Sequence, residues 1–380
     1  MKTEQIVFSE TNGWISKSAL ELKSKAQLIL LFGNKDLLKN KQNIDFVINT
    51  YPAAEVVGCS TSGEITGEEI FENNIICTAI WFEKTRIQIA KEQIGSMEES
   101  FSIGEKLANS LMGEQLAHIL VLSEGLNING SELISGINTS THDEISVSGG
   151  LAGDQDNFSE TVIVHNGAGK KNLVLAIGFY GENIKVGCGS MGGWDSFGVD
   201  RLITKSDRNI LYELDNQPAL ELYKKYLGHH ADNLPLSALL FPLSILKNHS
   251  ETSLVRTVLG VNEADGSMVF AGDIPQGEYV RLMKTNIDKL VEGAYGAAKM
   301  ALASLQDTMP DLAILISCVG RKLVMKQRVE EELDAVREEL GMHANISGFY
   351  SYGEISPTQA FEQHCELHNQ TMTITLFKEN

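Results

Sequence analysis

Two stretches, Gly58-Cys59-Ser60-Thr61-Ser62-Gly63-Glu64-Ile65 and Gly348-Phe349-Tyr350-Ser351-Tyr352-Gly353-Glu354-Ile355, share the pattern Gly-x-x-[Ser/Thr]-x-Gly-Glu-Ile. Each follows an apolar run and a helical pattern. Each precedes another β run, residues 75–82 in one case and 371–377 in the other. Ser148-Gly-Gly-Leu-Ala-Gly153-Asp154 sits in a similar place, between residues 119–122 and 161–164, with a looser match. Paired glycines permit left-handed backbone and close approach. The hydroxyls between them offer polar groups around a concavity, and the trailing acid adds one charge. The expectation is two equivalent loops facing each other across a pseudo-twofold to form one cleft. The plainer alternative is two turns that simply enter a strand.

The flanking sequence sets the fold class. Residues 28–32, 119–122 and 313–316 are apolar runs of strand length, which predicts strands buried on both faces. Val329, Leu333, Val336 and Leu340 fall at i, i+4, i+7 and i+11, predicting a helix over about 325–340 that Gly341 ends. Ser102-Ile-Gly-Glu105 reads as a capping box. Asn216-Gln-Pro218 starts a helix with Leu220, Tyr223 and Leu227 on one face, and Gly228 stops it. A helix over about 287–305 carries Gly293, Ala294, Gly296, Ala297 and Ala298, so a neighbour can approach closely. Residues 161–164, 173–179, 184–189 and 254–261 are short β runs that read as antiparallel hairpins. The sum is a mixed α/β fold: helix-covered sheets with pseudo-repeated strand–helix–Gly-loop–strand units. The best break lies near residues 218–236.

Composition narrows the function. The 380 residues include 31 Lys+Arg and 50 Asp+Glu, a formal net charge of −19. Such a surface repels phosphate backbones and anionic lipid, which argues against nucleic-acid and membrane partners. No apolar run is long enough for a membrane span, and no apolar stretch behind Met1-Lys-Thr-Glu-Gln5 predicts a signal peptide. Five scattered cysteines, an odd number, predict no disulfide and suit the cytoplasm.

Several chemical signals are weak. Gly187-Cys-Gly189-Ser-Met-Gly192 satisfies a dinucleotide pattern after a strand, but Gly193-Trp-Asp-Ser-Phe-Gly198 follows instead of a helix. Trp194 to Phe197 is expected to be a structural buttress. Cys365-x-x-His368 has ligand-like spacing without a second pair, so no structural zinc is expected. Strand alternation would put His364, Glu366 and His368 on one face with Cys365 opposite. No G-x-S-x-G elbow is present, and Cys59 has Phe349 as its counterpart, which suggests packing. No catalytic residue emerges, and the chain is read as a non-enzyme.

With these residues in view, the chain resembles a FIST-domain protein. The matching pieces are Gly58 to Ile65, Gly149-Gly-Leu-Ala-Gly-Asp154, Gly193 to Gly198, Ile203-Thr-Lys-Ser206, Leu211-Tyr-Glu-Leu-Asp215 and Pro218-Ala-Leu-Glu-Leu-Tyr223. In the second half they are Cys318-Val-Gly-Arg321, Gly348 to Ile355 and Cys365-Glu-Leu-His-Asn-Gln-Thr-Met-Thr373. The resemblance implies an intracellular signal-transduction sensor with an N-terminal module over about 1–220 and a C-terminal module over about 221–380. It implies a small ligand, amino-acid-like, and a signalling partner such as a histidine kinase. A subset of the family is similar to haem proteins that sense nitric oxide. On that branch the axial candidates are His165, His368, His118 and His142. No cofactor is certain.

The expected ligand site joins both loops: Ser60, Thr61, Ser62 and Glu64 with Tyr350, Ser351, Tyr352 and Glu354. Arg321 follows a buried strand, where open sheets place ligands. Its guanidinium would clamp a ligand carboxylate through two parallel bonds. The alternative is an ion pair with Glu354 or a helix glutamate, with both tyrosines in the core.

Overall fold

Within the run 28–32, Leu28, Leu30 and Phe32 enter one apolar cluster while Ile29 and Leu31 enter another. Leu120 and Leu122 against Ile119 and Val121 divide the same way, as do Ile314 and Ile316 against Ala313 and Leu315. Period-two alternation puts one side chain set on each face of a strand, and here both faces are buried. The computed structural model, which describes residues 1–16, 19–141, 144–246, 253–306, 308–359 and 364–380, shows why.

Each run is the second strand of a four-stranded unit. Unit I uses Lys2–Ser9, Leu28–Gly33, Glu55–Ser60 and Ile75–Trp81. Unit II uses Arg86–Gln93, Leu116–Ser123, Ser146–Leu151 and Leu173–Tyr180. Unit III uses Ile184–Met191, Leu312–Cys318, Asn345–Ser351 and Met372–Glu379. Every unit has the order third-second-fourth-first, with the second and third strands parallel. The inner faces of the three sheets share one cluster, so they stand as the sides of a prism. Helices cover the outer faces: Lys41–Thr50 on unit I, Ser100–Leu111 and Gly130–Ser140 on unit II, Ile287–Ser304 and Glu331–Leu340 on unit III.

The units exchange edges. After its third strand, unit I sends Glu64–Thr66 to the third strand of unit III. Unit III sends Gly353–Pro357 to unit II, and unit II sends Ile163–His165 to unit I. Each arm covers what would otherwise be an open sheet edge. The symmetry is therefore a pseudo-threefold, not the expected pseudo-twofold. The core repeats it. Thr78 Oγ1 donates to Ser347 Oγ at 2.8 Å and Thr375 Oγ1 to Ser148 Oγ at 2.7 Å, while Ile177 and Val57 hold the third pair of equivalent positions.

A separate unit over residues 195–286 is inserted between the first and second strands of unit III. It is an antiparallel sheet with helix Ala219–Leu227 and its own apolar cluster. Its ends meet, because Asp195 pairs with Lys284. Residue 220 lies inside this unit, so the two halves expected from sequence interleave in the folded chain.

Three local expectations change. The helix expected over 325–340 begins only at Glu331 and runs to Leu340; a 3-10 turn, Lys326–Arg328, with Lys326 in the left-handed region at φ 52°, divides it from a separate helix, Val319–Met325. The helix of Leu107 and Leu111 begins at Ser100, and Ser102 Oγ donates to the Glu99 carbonyl within its first turn instead of capping it. The Gly187-x-Gly189 stretch is a strand laid on helix Ile287–Ser304. A Cβ at Gly187 or Gly189 would lie 2.3 or 2.2 Å from the Ala301 or Ala297 carbonyl oxygen. Close packing of strand on a small-residue helix accounts for the glycine spacing. Among the described residues no helix is long and apolar enough to cross a membrane.

Candidate functional site

The two Gly-Glu-Ile loops are equivalent in backbone setting. Gly58 lies opposite Leu31 and Gly348 opposite Leu315, and Gly149 of the looser third copy lies opposite Val121. Thr61 Oγ1 donates to Glu64 Oε1 at 2.6 Å, and Ser351 Oγ to Glu354 Oε1 at 2.7 Å. The second carboxyl oxygens accept the Asn74 N–H at 3.3 Å and the Thr371 N–H at 3.2 Å. Burial pushes both carboxyls up to about 8, against the hydrogen bonds that favour the anion.

The loops do converge, but on one another. The Ser62 N–H donates to the Tyr350 carbonyl at 2.8 Å and the Gly153 N–H to the Ser60 carbonyl at 2.9 Å. Ser62 Oγ and the Tyr352 hydroxyl, at equivalent positions, both donate to the Gln155 carbonyl, at 3.0 and 3.3 Å. Ser60 Oγ accepts the Val162 N–H. Of the nine expected site residues, Ser62 borders one of the two cavities described below and Tyr352 the other.

Arg321 is fully buried. Its fork faces Glu332, with Nη2 and Nε at 2.9 and 3.2 Å from Oε2, and Nη1 and Nη2 also donate to the Gly192 and Leu290 carbonyls. Glu332 Oε1 accepts from the Tyr350 hydroxyl at 2.6 Å and from Ser317 Oγ. Four donated bonds commit the guanidinium to an internal network, so the geometry favours the helix-glutamate alternative over a ligand clamp. The cation that faces outward is the next residue. Helix Val319–Met325 turns about 100° per residue. Lys322 Nζ therefore leaves the core and bonds the Ser62 carbonyl at 2.8 Å and Glu72 Oε1 at 2.5 Å.

The open space lies where this helix meets the inserted unit. A cavity of about 1060 Å³ is bordered by Ser62, Glu72, Lys322, Lys326, His230 and Glu330. A neighbouring cavity of about 440 Å³ is bordered by Tyr352, Phe158, Thr257, Leu259, Phe270 and Met97, among others. Both share Asp156, Asn233, Leu239, Val319 and Leu323, so they form one cleft. Lys322 was legible as a neighbour of the Cys318-Val-Gly-Arg321 motif. Thr257, Leu239 and His230 carried no signal, because only the fold brings the inserted unit against unit III. Trp194 is half-buried at the junction of the two bodies, its indole N–H donating to the Gln370 carbonyl at 2.9 Å.

Three of the four histidines expected as axial candidates sit in settings that do not fit a haem. His118 is fully buried, with Ser146 Oγ at 2.7 Å from Nδ1 and Ser148 Oγ at 3.0 Å from Nε2. Burial pushes it down to about 3. His165 faces Glu55 and Lys91, and His368 Nε2 lies 3.0 Å from the Ser356 carbonyl. None of these three borders either cavity, and His142 lies outside the described residues. Cys365 Sγ lies 3.2 Å from Asn138 Oδ1, and among the described residues no three His, Cys, Asp or Glu side chains are grouped to hold a metal. All five cysteines are buried free thiols, and Cys59 packs in the shared core.

An uncharacterized protein of Methanocaldococcus jannaschii is 23% identical, aligned over 90% of this chain and 71% of its own length. The FIST N domain matches residues 27–217 and the FIST C domain residues 219–357. The chain belongs to the FIST family, carrying its N and C domains in succession.

Proposed function

We propose that this protein is a non-catalytic sensor that binds a small ligand in the cleft between the prism and the inserted unit and passes the change to a signalling partner. The observation that carries the reading is the cleft itself. Two joined cavities of about 1060 and 440 Å³ match the size of small-molecule sites, and their walls come from two bodies with separate cores. Bodies joined in this way move relative to one another by default, so a ligand held by both walls changes their relation. Ser62, Tyr352 and Lys322 form the prism wall; Thr257 and Leu239 form the other.

The sensory role rests on the family. A histidine kinase as partner rests on the family resemblance alone, and the buried thiols suit the cytoplasm. No observation favours nitric oxide sensing through haem. The test is a thermal-shift screen of a broad metabolite library on the wild type and on Leu323→Trp, which fills the cleft. Binding to the folded form raises apparent stability. The reading expects a compound that raises the Tm of the wild type and not of the variant. Hits that shift both equally, or no hit at all, would contradict it.

A further inference from the structure

We infer that the smaller cavity takes a neutral, mainly apolar molecule carrying one hydrogen-bonding group for the Thr257 hydroxyl. The inference rests on the cleft being the sensory site and adds the class of its ligand.

Three observations lead there. First, among the described residues no Lys, Arg or His borders this cavity, and the one acid among them, Asp156, is exposed. A carboxylate placed inside would lose its water without gaining a cation, at a cost of several kcal/mol. The smaller cavity therefore disfavours a charged carboxylate, and the cations of the cleft, Lys322 and Lys326, border the larger cavity. Second, Thr257 is 5% exposed, borders the cavity, and its Oγ1 is buried without a hydrogen-bond partner. Buried hydroxyls are almost always paired, so this one is completed by something the chain does not supply. Third, Met97, Phe158 and Leu259 are large apolar side chains at 41, 45 and 46% exposure, and all three border this cavity. They come from unit II, the loop stacked on Tyr352, and the inserted unit. Exposed apolar groups gathered at one mouth mark a surface that is covered in use. An apolar body covers them while its polar group meets Thr257.

The recognition is divided between the bodies, Tyr352 and Phe158 on the prism and Thr257 and Leu259 on the insert. Such a ligand holds the insert against the prism because only that arrangement supplies both walls.

The test uses 2-naphthol, neutral at pH 7, and its carboxylate counterpart 2-naphthoate, titrated against the full chain by fluorescence. The inference expects saturable 2-naphthol binding and 2-naphthoate at least ~10-fold weaker. Thr257→Val keeps the shape and loses one hydrogen bond, so it should weaken 2-naphthol ~5-fold. Leu259→Ser, at a 46% exposed position, should weaken it as well, and Leu323→Trp should abolish it, with folding of both checked by circular dichroism. Equal or tighter binding of 2-naphthoate, still abolished by Leu323→Trp, would overturn the ligand class and leave the cleft standing. Binding of 2-naphthol that Leu323→Trp and Leu259→Ser leave unchanged, or no saturable binding, would overturn the inference together with the cleft.

Discussion

Arg321 and Lys322 show how one residue step decides a role. The sequence places a cation at the end of a buried strand, which is where ligands sit in open sheets, but it does not say which of two adjacent cations faces out. The fold gives Arg321 to Glu332 and Lys322 to the cleft. Arg321→Lys replaces a four-bond fork by a point charge inside a fully buried network. It should lower unfolding free energy by about 3 kcal/mol in a urea titration while the protein that remains folded binds 2-naphthol normally. A normal denaturation midpoint with lost binding would return Arg321 to the site. Glu64 and Glu354 offer a second test at this scale. Burial raises each folded-state pKa to about 8 from an ordinary value near 4.5. The folded protein then holds protons that the unfolded chain releases between those values. Their contribution is full below about pH 4.5 and is lost as pH rises towards 8, by at most about 1.4 kcal/mol per pH unit per group. The Glu64→Gln and Glu354→Gln double variant should show a flatter stability–pH profile across that window; an unchanged slope would mean that these carboxyls are ionised in the folded protein.

At the scale of elements, the loops and the helix faces were legible because each depends on local pattern. The shared Gly-Glu-Ile register survives as shared geometry because the glycines sit where parallel strands crowd. A Cβ at Gly58 or Gly348 would lie 1.9 Å from the facing carbonyl oxygen. Gly348→Ala should therefore cost about 3 kcal/mol or more, since the obstacle is backbone that cannot step aside. A change below about 1 kcal/mol would show that the strands are less closely paired. The break at Lys326 was not legible: the periodicity of Val329 to Leu340 continues smoothly towards Met325, and a single left-handed residue leaves no mark on a hydrophobic pattern. The third loop copy was legible only in part. Its arm strand begins at Ile163, some nine residues after Asp154, so the acid that follows the glycine in sequence is not the residue in the equivalent strand position.

For the whole molecule, the mixed α/β class was legible, and the threefold exchange was not. Edge pairing between Glu64–Thr66 and Asn345–Ser351 spans most of the chain, and no local pattern encodes it. The same reasoning hides the cleft, whose walls meet only after the insert docks. Exchange predicts that fragments 1–220 and 221–380 fail to fold separately, because each leaves a sheet without its covering arm. Excision of residues 195–286, closed by a short Gly/Ser linker across the paired ends at Asp195 and Lys284, should leave a folded prism. Far-ultraviolet circular dichroism and a cooperative thermal transition check both, and two independently folding halves would refute the exchange. The central claim, that one ligand is gripped by both bodies, is tested most directly by hydrogen exchange on the full chain with and without the strongest compound from the metabolite screen. The account predicts slowed exchange in helix Val319–Met325 of the prism and in residues 237–240 of the insert together. Protection confined to one of these walls, or found elsewhere in the molecule, would contradict it.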